Sequence, residues 1–591
     1  MTDTSSPRLP LMPSQTGMRD GHLQDPENSA YSVAQIVWFS GEELDEQMVI
    51  DAVETGVRDT RSILMTASFD EDGQWYQQLN SSVDIPVHRV DLTTAPDPRQ
   101  AARDLAFREV RRSLPISGPG LPFRSYVLTL GPHSFAWFGI CHHMFIDGYG
   151  ATLLRARVGQ ALGALAAGQP VPESPFGDIV DLIPATPDPD PADLEFWKSH
   201  VADAPEVIGF TDRVAPPAPL YEMLDFRTPG FATRIAEALD GVNWAHVAAA
   251  AAISYSSVIL ENPVVVVGLP VTGRFTPEEK STPSQSMGAL PLKIEVNHEA
   301  DLPTLVATFR QTVRSTKDHQ RQAPDALRAE LPVAWRTGRM YGPMVNIIPF
   351  EMPSMAGALE TGLEVISHGP CDDISFTVTP GPEGGIRTEM LFNPSLYGRT
   401  VRAAHTARFQ RWLEQIADRP DSPLSDLVCL TPEEQAAHAD LAGTPATGAP
   451  QPLVWGTSCT VADLAERAEE SEVTGIAVHS DLGRPAVFGR PGRVVFHTPA
   501  GPRESGLLVA LGSSGLEYRG TVDDRVVVNG NQVELEAVRL AVTRDPRHAD
   551  AEISASGRRI TVRLGPEADQ SERDEVSLRV AEVTAAPVVV R

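Results

Sequence analysis

The 591 residues carry 78 acidic against 49 basic side chains, a formal net charge of −29. A surface of that sign repels nucleic-acid phosphates and anionic lipid head groups, so neither is an expected partner. The 42% hydrophobic and 21% charged content is that of an ordinary globular protein, and the length exceeds what one core supports, so two or three units are expected.

Residues 1–28 are rich in Ser, Pro, Asp and Gly and read as a disordered tail without the layout of a secretory signal. From Ser32 the pattern changes. SVAQIVWF is a strand-like run, EELDEQMVIDAVETGV has helical spacing, and SILMTASF and VDIPVHRVDL look like strands. PRQAARDLAFREVRR is a helix opened by Pro, and SYVLTLGPHSFAWFGICHHMF is a pair of strands around a Gly-Pro turn.

ATLLRARVGQALGALAAG is helical, and the Pro- and Asp-rich VPESPFGDIVDLIPATPDPDPAD reads as a crossover between two lobes. WAHVAAAAAISYSSVIL is Ala-rich and broken by His and Ser, a buried helix and not a membrane span. The strands VVVVGLP, LPLKIEV, MVNIIPF, DISFTV and TEMLF follow. The expected division is an N-lobe over 29–190, a C-lobe over 191–432, a Pro/Gly/Ala linker over 433–453 and a smaller unit over 454–591. Cys141, Cys371, Cys429 and Cys459 show no paired spacing, which suggests neither disulfides nor a zinc site, and a reducing cytoplasm fits.

The chemistry is carried by CHHMFIDGYG, residues 141–150, at the end of an apolar strand entering a turn. Two adjacent histidines, three residues and then Asp-Gly arise by chance on the order of once in a thousand chains this long. A neutral imidazole accepts a proton or donates a hydrogen bond near pH 7, so His143 can activate an incoming nucleophile. Asp147 can hold the local backbone and pair with a cation, and Gly148 lets substrate approach the chain closely.

This HHxxxDG arrangement resembles the condensation-domain superfamily of non-ribosomal peptide synthetases over roughly residues 30–430. The resemblance implies an α/β fold of two chloramphenicol acetyltransferase-like lobes forming a pseudo-dimer around a tunnel. It implies that His143 is catalytic and that His142 and Asp147 are mainly structural. GLPVTGR resembles the family segment whose arginine pairs with the motif aspartate, so an Asp147–Arg274 ion pair is expected. TPSQSMGALPLK resembles the family stretch Pro-Gly-Met-x-x-Asn-x-Leu-Pro-Leu-Arg, with Ser284, Gln285 and Gly288 replacing its Gly, Met and Asn. YGPMVNIIPF, HGPCDDISFTV and LFNPSLYG resemble stretches of starter-type and enterobactin-synthetase-like members, which makes Asn346 and Ser375 candidate tunnel residues. Asp372, Asp373 and Ser375 fit a cap on a strand at the lobe interface better than a reacting role.

GLEYRGTVDDRVVVNGNQVELEAVRLAV, residues 515–542, resembles the small C-terminal subdomain of adenylation domains through Leu516, Glu517, Tyr518, Gly520, Asp523, Asp524, Val526, Gly530 and Glu534. Thr521, Val527, Asn529 and Gln532 stand where that pattern has basic residues. Adenylation uses a lysine to stabilise charge, and the last lysine here is Lys317. The unit is therefore expected to be a truncated, inactive remnant with a docking or supporting role. Ser513 and Ser514 faintly resemble a carrier attachment site, where a Gly-Ser turn is expected anyway.

The resemblance implies acyl transfer from a carrier-protein thioester to an amine or hydroxyl. It implies no bound metal or redox cofactor. The carrier, with its phosphopantetheine arm, would be supplied in trans. Epimerisation shares the motif but needs a companion acid that the sequence does not reveal. A non-catalytic recruitment module is the alternative from another class, and the intact motif argues against it.

Overall fold

The computed structural model describes residues 6–591 except 81–84, 119, 188–189, 203, 206, 208, 212–214, 322–338, 350–358, 481–482, 489, 513–514, 529–530, 557–558, 566, 582 and 585–587. Ser513, Ser514, Asn529 and Gly530 lie outside the described residues, as do the side chains of Val527 and Gln532.

The apolar run Ser32–Ser40 is buried on both faces and becomes a central strand of the first lobe. It pairs antiparallel with Ser134–His142, which pairs with Phe123–Gly131 across the Gly-Pro turn. Helix Glu46–Asp59 is opened by Asp45, whose side chain accepts from the Met48 N–H. It packs against the helix Gly148–Ala166. Gly56 permits that approach, because a Cβ there would overlap Val158.

The second lobe is a six-stranded sheet in the order 288–295, 264–271, 344–347, 374–380, 386–392 and 222–228. Its core includes the helix Trp244–Leu260, buried around nearly its whole circumference. Among the described residues no helix is long and apolar enough to cross a membrane.

Three expectations are corrected. The N-terminal segment is not a disordered tail over residues 6–28. Leu9–Pro10 forms a short strand against Trp75–Leu79, Thr16–Gln24 is a helix, and Leu9, Met12, Gln15 and His22 are buried. Its polar composition hid this because only a few side chains, spaced along the segment, point inward. The lobes also do not divide at residue 190. Strand Glu360–His368 leaves the C-terminal half and completes the first lobe's sheet beside Ser32–Ser40. The segment 433–453 is not all linker. Pro432–Ala442 is a helix with a Thr431/Glu434 capping box.

Glu434 is also the anchor of the last unit. It is fully buried, receives the Arg408 guanidinium (Nε to Oε2 3.0 Å), and accepts from the Phe488 N–H at 2.7 Å. Arg490 Nη2 donates to the Ile259 carbonyl at 2.8 Å, so the unit sits on the second lobe. It comprises a five-stranded antiparallel sheet, from Ser458–Cys459 through Gly515–Thr521 to Gly475–His479, then a small α+β body. That body closes over a valine- and isoleucine-rich core containing Val538, Ile560, Val562 and Val576.

Candidate active site

The strand Ser134–His142 ends at the motif, and the chain turns sharply through His143–Ile146 before the helix Gly148–Ala166 begins. Asp147 is that helix's N-cap and accepts from the Gly150 N–H at 2.8 Å. A Cβ on Gly150 would meet Ile146 and the Ser284 backbone at 2.8–3.1 Å, so glycine is required there. Gly148 is different: a Cβ there meets nothing within 4 Å, so the chain lies open at that position.

The Asp147 carboxylate is fully buried and every lone pair is used. Arg274 donates to both oxygens, at 2.8 and 3.1 Å, and the Ser286 and Met287 N–H groups donate at 2.9 and 2.8 Å. Arg274, 4% exposed, also donates to the Ser284 and Thr272 carbonyls and lies over the Tyr149 ring. A buried ion pair is tolerated when its geometry is bidentate and most remaining groups are satisfied; here Arg274 Nε is buried without a hydrogen-bond partner among the described residues. Asp147 thereby joins the motif helix to the loop Ser284–Met287.

In that loop, Gln285 Oε1 stands 3.1 Å from His143 Nδ1.

 Gln285 is this loop's side-chain contact with the catalytic candidate. His143 is 8% exposed, and its N–H donates to the Tyr31 carbonyl at 2.7 Å. Gly369 packs against the ring with φ +102°, and a Cβ there would overlap His143 Cδ2 and Nε2. Burial pushes the His143 pKa below its ordinary 6.5. Its own carbonyl, Asp147, Gln285 and the His368 carbonyl oppose that shift without cancelling it. The ring is therefore neutral near pH 7, the form that accepts a proton.

His142 faces the other way. Its Nδ1 accepts from the Met144 N–H at 3.1 Å, and its Nε2 stands 3.3 Å from His22 Nδ1 on the N-terminal helix. Burial holds its pKa well below 6.5, and His22 and His143 lower it further. Gln15 donates to the Met144 carbonyl at 2.9 Å, and Ser14 Oγ to the Gln285 carbonyl at 2.7 Å. The segment read as a tail thus braces both the motif turn and the loop opposite it.

Asn346 lies in strand Met344–Ile347 and donates to Thr377 Oγ1 at 3.4 Å, so its polar contact is not with His143. Ser375 is half-buried in the neighbouring strand, paired in register with Met344. Asp373, beside it, receives Tyr397 Oη–H and stands 3.2 Å from Arg339. Sequence reading missed His22, Gln285 and Gly369. Only Gln285 left a signal, as a departure from the family stretch.

Two lobes with a buried imidazole at a strand end, backed by a carboxylate–guanidinium pair, define a chloramphenicol acetyltransferase-like fold. The condensation-domain family model matches residues 6–438, and the chain belongs to that family, found in non-ribosomal peptide synthetases. It is 26% identical over 444 residues to a dimodular nonribosomal peptide synthase of Bacillus subtilis (strain 168), covering 74% of this chain and 18% of that protein. It is 29% identical over 436 residues to an isonitrile lipopeptide synthase of Streptomyces coeruleorubidus, covering 72% of this chain and 29% of that protein. The chain thus spans less than a third of either relative. The first condensation domain of the CDA synthetase superposes with a TM-score of 0.65 at 26% identity, covering 72% of this chain and all of that one.

Proposed function

We propose that the chain transfers an acyl group from the phosphopantetheine thioester of a carrier protein, supplied in trans, to an amine. The amine nitrogen attacks the thioester carbon, forming C–N and breaking C–S. His143 takes the proton lost by nitrogen and returns it to the departing sulfur. A hydroxyl acceptor would give an ester by the same steps. The observation that carries this reading is the neutral, buried His143 ring held between Gln285 and Gly369 in a member of the condensation family.

The unit after residue 454 contains no lysine and resembles part of an adenylation domain, so we assign it support and docking without ATP chemistry. The whole reaction belongs to the cytoplasm. The test is purified protein with an acyl-loaded carrier and an amine, read by intact mass. His143→Ala should abolish acyl loss from the carrier, and unchanged turnover would refute the assignment.

A further inference from the structure

Gln285 is 1% exposed, on the loop tied to Asp147. Its amide nitrogen donates to the Met287 carbonyl at 2.8 Å. A carbonyl only accepts, so this contact assigns the two ends of the amide and leaves Oε1 facing His143 Nδ1 at 3.1 Å. An amide oxygen also only accepts. An Nδ1 proton is the one this oxygen can hold, and with it in place the lone pair of the neutral ring is on Nε2, while the carbonyls of His143 and His368 also face the ring. The adjacent histidine has the opposite form, because the Met144 N–H occupies His142 Nδ1 and leaves the proton on Nε2.

We propose that Gln285 is a positioning residue that fixes the Nδ1–H tautomer of His143, presents Nε2 as the base, and steadies the imidazolium once the proton is taken. The proposal rests on the reading of His143 as that base. The related family stretch has methionine here, and a thioether accepts only weakly, so this chain adds a side-chain acceptor to the backbone carbonyls of His143 and His368. The charged and titratable neighbours are Asp147, paired with Arg274, and His142, itself against His22. The His368 carbonyl and the Gly369 backbone complete the surroundings.

The test is nitrogen-15 NMR of histidine-labelled protein at pH 7.5, with His143→Ala identifying the resonances, alongside kcat profiles against pH. The unaltered protein should show His143 protonated on Nδ1; an Nε2–H form overturns the proposal whatever the variants do. Gln285→Met should mix the tautomers and lower kcat roughly tenfold to a hundredfold with little change in KM. Gln285→Glu should keep Nδ1–H and move the acidic limb of kcat to higher pH. Ring signals unchanged in Gln285→Met also overturn it. If the tautomer shifts and kcat does not, the positioning of a base fails together with the base, whereas an inactive His143→Ala with an unmoved tautomer refutes Gln285 alone.

Discussion

Asp147 and Arg274, 127 positions apart, meet in a buried bidentate pair that binds the motif helix to the loop carrying Gln285. Removing one partner leaves the other charge buried without compensation. Arg274→Met should cost about 3–5 kcal/mol. Asp147→Asn combined with Arg274→Met should cost less than the sum of the single changes. Urea unfolding midpoints measure both, and additive losses would show that the two side chains act separately.

Gly369 sits in the left-handed half of the backbone map against the His143 ring. Gly369→Ala adds a strained φ, worth about 1 kcal/mol, and a methyl group where Cδ2 and Nε2 now lie. Turnover should fall at least tenfold as the ring is displaced, by the general-base range. The melting temperature should drop only a few degrees, by about that strain. Full activity would mean the ring has room that the structure does not show.

Acid should act on both rate and stability. The His143 pKa is lowered, so the acidic limb of kcat/KM should lie below pH 6.5. His200 and His298 are lowered by burial to about 4. Between pH 6.5 and about 4 their unfolded rings bind protons that the folded rings do not. The stability they contribute is fully present above 6.5 and declines as pH falls towards 4. Melting temperatures at pH 7.5, 6 and 5 check the sign, and a rise on acidification would contradict it.

Deleting residues 6–28 removes Gln15 from the Met144 carbonyl and His22 from His142. Hydrogen exchange at Met144–Asp147 should accelerate and turnover should fall. Unaltered exchange there would show that the turn stands without its brace.

Glu434→Ala leaves Arg408 buried beside an empty site and frees the Phe488 N–H. The expected cost is about 3–5 kcal/mol. Limited proteolysis after residue 440 should quicken, and an unchanged cleavage rate would mean that other contacts hold the last unit.

The sequence alone determined the features that depend on neighbours along the chain. The runs Ser32–Ser40 and Ser134–His142, the helices Glu46–Asp59 and Gly148–Ala166, and the His-His motif between strand and helix were legible because periodicity and capping are local. The second lobe's strands over 264–271, 288–295, 344–347, 374–380 and 386–392 were legible for the same reason. Tertiary structure alone decided which distant atoms reach the motif. Residue 22 lies 120 positions from His142 and Gln285 lies 142 from His143, and the strand Glu360–His368 enters a sheet built from residues some 300 positions earlier. Such contacts depend on how the two lobes pack, and no pattern within a single segment encodes which partner a buried polar atom will find.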